Sequence, residues 1–174
     1  MQAIKRDIEE LFLKRSVTDQ EMRDLGPDAV TVLIDMFKHD ESPEREWKCR
    51  LSLHALGVLG TEKAIGFLID SADNNRVPGW LRRQAVESMG LTHSPASFAY
   101  LSQLAQEHPH DRVRDTAVLA LGRIATSPAI SILEQVATGD EDASIRERAQ
   151  RLLQSNEQAS NEINQASESD DSTI

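Results

Sequence analysis

Gly57, Gly90 and Gly122 stand 33 and 32 residues apart, and each ends the same short pattern. Val113-Arg114-Asp115-Thr116-Ala117-Val118-Leu119-Ala120-Leu121-Gly122 aligns with Leu81-Arg82-Arg83-Gln84-Ala85-Val86-Glu87-Ser88-Met89-Gly90. Ser52-Leu53-His54-Ala55-Leu56-Gly57 fits the second half of that pattern, and the segment from Ile145 to Leu153 fits its first part. Leu33, Leu68, Leu101 and Leu133 recur at equivalent places in the following segments. Within one unit, Val113, Ala117, Ala120, Leu121 and Ile124 form one helical stripe. After a turn at Thr126-Ser127-Pro128, Ala129, Ile132, Leu133 and Val136 form a second. Neither helix can bury its stripe alone. A period near 33 residues built from paired helices therefore predicts hairpins stacked on their neighbours around one continuous core, which is an α-solenoid.

The stretch "VRDTAVLALGRIATSPAISILEQ", Val113 to Gln135, resembles the HEAT-like repeat of the phycobilisome-lyase type. The likeness covers about residues 25–153, and Lys48-Cys49 replaces the Val-Arg pair in the first full repeat. The resemblance implies an all-α, right-handed superhelix of about four hairpins. Residues 1–154 are expected to form this domain. An N-terminal cap covers 1–25, with Ile4, Ile8, Leu11 and Phe12 on one face of a leading helix. A helix at 28–38 precedes hairpins at about 44–74, 78–107 and 111–138, and a helix at 143–154 closes the stack. From Ser155 the chain has five acidic residues, no Lys or Arg, and few apolar side chains. Residues 155–174 are accordingly expected to be a disordered acidic tail.

Charge narrows the function classes. The net charge is −10 and the isoelectric point is about 4.9. A phosphate backbone or an anionic membrane surface would be repelled, so neither nucleic acid nor membrane is expected as a partner. The first ten residues lack the apolar run of a secretory leader, and no stretch has the length of a membrane span. Cys49 is the single cysteine, so no internal disulfide can form. A cytoplasmic protein is the expectation.

No catalytic constellation emerges, and no cofactor or metal is expected. His39, His54, His93, His108 and His110 lack helical ligand spacing and an accompanying acidic motif. Cys49 and His54 lie five residues apart on one helix, which places them on different faces. Arg82, Arg114 and Arg146 share one repeat position, with Asp111 and Asp142 just ahead of two of them. They are expected to form a structural Asp–Arg ladder that also caps helix starts. Arg83, Arg112 and Arg148 close by offer the competing reading of a basic ridge. Trp47 and Trp80 share another repeat position, as seam covers or as aromatic anchors for a partner. Tyr100 stands where Val32, Phe67 and Ile132 stand, and is expected in the core.

The second helix of each hairpin carries the functional signal. Two positions after the recurring leucine come Asp35, Asp70, Gln103 and Gln135; two positions before it come Thr31, Gly66, Ala99 and Ser131. Second helices line the concave face of such solenoids, so these residues define a candidate groove, acids giving way to amides beside small side chains. The expected function is a non-enzymatic adaptor or assembly factor holding a basic or amide-rich helix or loop of a protein partner, with a small-molecule ligand not expected. The resemblance implies an alternative, a subunit of a bilin lyase or a chromophore-handling chaperone for phycobiliproteins, with bilin as ligand.

Overall fold

The structure is a computed structural model that describes residues 2–14 and 16–170, the last eleven of them by backbone alone. Among the described residues the chain is all-α. Its helices are α1 (Gln2–Phe12), α2 (Asp19–Asp24), α3 (Ala29–His39), α4 (Arg45–Leu59), α5 (Glu62–Asp73), α6 (Gly79–Met89), α7 (Pro95–Glu107), α8 (Asp111–Ile124), α9 (Ser127–Gly139) and α10 (Ala143–Asp170). These match the helix pairs expected of a solenoid of HEAT-like hairpins. The chain folds as two compact units, Met1–Leu101 and Ser102–Ile174, with the boundary inside α7.

In the first unit α4 packs against α2, α3, α5 and α6. The recurring apolar positions supply the core: Leu33, Leu53, Leu56 and Leu68 are fully buried, as are Ile8 and Met22 from the cap helices. Thr18 and Glu21 form a reciprocal capping box that starts α2. In the second unit α8, α9 and α10 pack on one another around Leu121, Leu133, Ile145 and Ala149.

Two of the three recurring glycines have a direct structural use. A Cβ on Gly57 would lie 2.3 Å from the Ser88 carbonyl oxygen, so α4 and α6 approach backbone to backbone. A Cβ on Gly122 would lie 2.9 Å from both methyl carbons of Leu152 on α10. The repeat therefore preserves a close crossing between successive first helices, against backbone at Gly57 and against a side-chain end at Gly122.

Three residues beyond each of these glycines, the chain leaves the first helix in the left-handed region. Gly60 has φ 57° there, and Ala125 has φ 50° at the same repeat position. Glycine adopts that conformation freely, whereas alanine carries strain. Ala125→Gly is expected to stabilise the chain by about 1 kcal/mol, read as a higher urea midpoint at unchanged slope.

The closing helix departs from expectation. It was expected to stop at 154, and helical backbone is described through Asp170. The segment holds no glycine or proline to end the helix begun at Ala143. Low apolar content removes a packing partner, but it supplies no stop signal. Residues 171–174 of the expected tail lie outside the described residues.

Candidate functional site

All eight residues named from the second helices are solvent-exposed: Thr31, Asp35, Gly66, Asp70, Ala99, Gln103, Ser131 and Gln135. The leucine between each pair is fully buried. This follows from helical geometry, because residues two positions either side of an inward side chain point about 160–200° away from it.

In the first unit, Asp35 lies 3.8 Å from His39 one turn on. Thr31 accepts a 2.8 Å hydrogen bond from Lys63 of α5. A cation therefore stands at Thr31, one helical turn before Asp35, a feature the repeat alignment did not reveal. Lys38 lies over the Phe67 ring, which meets Phe37 edge-on. Gly66 has open space where a side chain would stand. Tyr100, expected in the core, is only half-buried; its hydroxyl donates to the Asp73 carboxylate, and burial together with that bond pushes its pKa up. In the second unit, Gln135 accepts a 2.6 Å bond from Gln106, a residue not singled out from the sequence.

The expected arginine ladder requires correction. Arg114 is indeed buried and paired, but with Asp140, through bonds of 2.8 and 3.1 Å, and with Glu141 at 3.1 Å. Asp111 instead accepts from the Arg112 backbone N–H, and Asp142 from the N–H and hydroxyl of Ser144. Both aspartates sit at helix starts, where unpaired N–H groups are nearer than any guanidinium. Arg146 donates to the carbonyls of Asp140 and Glu141, and Arg82 to Asn75. Arg148 pairs with Asp115, so it is not a free member of a basic ridge.

Asp140 belongs to a set that the alignment missed. Asp40, Asn74, His108 and Asp140 follow the second helices at spacings of 34, 34 and 32 residues. Each side chain accepts the backbone N–H two residues on, at 2.8, 2.9, 3.1 and 2.8 Å. Each of these turns precedes the following first helix, α4, α6, α8 or α10. The signal was present as an Asp, Asn or His at the repeat period.

The aromatic candidates differ from each other. Trp47 is 40% exposed, its indole N–H donating to the Phe12 carbonyl and Arg50 stacked over its ring. Trp80 is half-buried. Cys49 is buried beside the Phe37 carbonyl, and burial raises its thiol pKa, which makes it a poor nucleophile. His54 bonds Asp19 at 2.8 Å. No group of three metal-ligating side chains gathers among the described residues. Within those residues no helix is long and apolar enough to cross a membrane.

Residues 76–154 match the family of HEAT repeats. No curated protein sequence matches the chain. Among solved structures, it is similar to a chain in the complex of CpcE and CpcF of phycocyanin lyase from Nostoc sp. PCC7120. That match has a TM-score of 0.59 at 19% identity and covers 87% of this chain and 98% of the other. At that identity the likeness is one of fold alone.

Proposed function

We propose that this protein is a non-enzymatic adaptor or assembly factor, acting in the cytoplasm, that holds a protein partner on the second-helix faces of its repeats. One observation carries the reading: the same two positions are exposed on every second helix, while the leucine between them is fully buried. Asp35 and Asp70 suit basic groups of a partner helix or loop, and Gln103 and Gln135 suit amides. Thr31, Gly66, Ala99 and Ser131 keep the surface low enough for close approach. Trp47, exposed and stiffened by Arg50, is the candidate aromatic anchor.

A second reading is favoured by the fold comparison. The similar structure is a complex of two proteins, CpcE and CpcF, which supports a reading of this chain as one subunit of a bilin-handling pair. Affinity capture from the source cells, read by mass spectrometry and visible absorbance, separates the two. A stoichiometric colourless partner supports the adaptor. A co-eluting bilin or phycobiliprotein supports the second reading. Recovery of the bare chain contradicts both.

A further inference from the structure

We propose that the second unit carries a neutral subsite for one amide side chain, Gln or Asn, of an extended protein segment. The subsite is a cavity of about 190 Å³ between the end of α7 and the end of α9, lined by Ala105, Gln106, Gln135, Val136, Gly139 and Asp140. Its volume is below the roughly 300–1,000 Å³ of small-molecule pockets, so it takes a side chain and not a cofactor. Ala105 and Val136 are buried and give an apolar wall. The Gln106 amide donates to the Gln135 carbonyl at 2.6 Å. That bond leaves the Gln135 N–H groups as donors and the Gln106 carbonyl as an acceptor, both on residues that line the cavity. Exchanging the O and N positions of both amides swaps their roles and keeps the pair.

The carboxylate in the wall does not make the site a cation trap. Both Asp140 oxygens are held by Arg114, and one also accepts the Asp142 N–H. An entering amide satisfies the donor and the acceptor together. A carboxylate offers nothing to the Gln106 carbonyl, and an ammonium offers nothing to the Gln135 N–H groups. The inference rests on reading the second-helix face as the binding face, and narrows "basic or amide-rich" to amide for this unit.

The test uses the whole chain, ¹⁵N-labelled, titrated with capped Leu-Gln-Leu, Leu-Glu-Leu and Leu-Lys-Leu peptides. Saturable shifts at Ala105, Gln106, Gln135 and Gly139 are expected with the Gln peptide, and about tenfold weaker binding with the other two, the value of one lost hydrogen bond. Gly139→Leu fills the cavity from a position where an added Cβ meets nothing within 4 Å, so shifts should vanish while the fold persists. Gln135→Leu removes the donor without filling the space and should erase the Gln preference. Equal binding of all three peptides, a preference for Lys, or no shifts at these residues would overturn the subsite. None of those results touches the adaptor reading, which stands or falls on the Asp35 and Asp70 variant with the captured partner.

Discussion

Replacing Asp140 with Ala is expected to cost about 3–5 kcal/mol, because it strands a buried guanidinium. The Arg114 and Asp140 side chains are 6% and 4% exposed. Arg114 also donates to the His108 carbonyl, so one cation joins the turn before α8 to the turn after α9. Asp140 in turn fixes the start of α10 through the Asp142 N–H. Removing the acid leaves Arg114 facing Glu141 alone, whose carboxylate lies in solvent. The melting temperature should fall by about 10 °C. Arg114→Met combined with Asp140→Leu should cost clearly less than the single change, since no charge is then left unpaired. A single variant within 1 kcal/mol of the parent, by urea denaturation, would contradict this assignment.

The same pair sets an acid limit. Burial raises the Asp140 carboxyl pKa, but the Arg114 bond and the Asp142 N–H outweigh it and hold it below the ordinary value. Folded Asp140 thus binds its proton less readily than unfolded Asp140. Its stabilisation is present in full above the unfolded pKa of about 3.9 and is lost as pH falls through the lower folded value. Stability should drop below about pH 4, and the Arg114→Met, Asp140→Leu variant should lose part of that slope.

Gly57→Ala is the second large effect, at about 3 kcal/mol. Its new methyl meets backbone, the Ser88 carbonyl at 2.3 Å and carbon at 3.0 Å, so α4 and α6 must separate. Gly122→Ala makes the contrast. There the obstacle is the flexible end of half-buried Leu152 at 2.9 Å, which can turn aside. Alanine also gains about 1 kcal/mol in helix propensity at either site. Gly122→Ala should therefore stay within about 1 kcal/mol of the parent. Equal costs at the two sites would show that the first-helix crossing is not the reason for the recurring glycine.

The helices were legible because their apolar stripes repeat. The turn at Thr126-Ser127-Pro128 starts α9 at Ser127, and the helix expected at 28–38 is Ala29–His39. The exposed set on the second helices was legible for the same reason, since a buried leucine fixes the outward direction of its neighbours. The acid that serves Arg114 was not. It lies 26 residues away, across a whole helix, whereas sequence proximity favours Asp111. Nor was the Lys63 bond to Thr31 legible, because it joins second helices of different hairpins. The end of α10 was not legible, because the segment beyond 154 holds no glycine or proline that marks one.

The proposed role of the second-helix face is to bind a protein. Its most direct test compares the parent with the Asp35→Lys, Asp70→Lys double variant in quantitative capture of the partner, with urea denaturation of both proteins alongside. Both aspartates are exposed, so stability should be unchanged within about 0.5 kcal/mol. Partner recovery should fall at least about tenfold, as two favourable charges become repulsive. Equal recovery by two equally stable proteins would contradict the claim and leave the face an ordinary solvated surface.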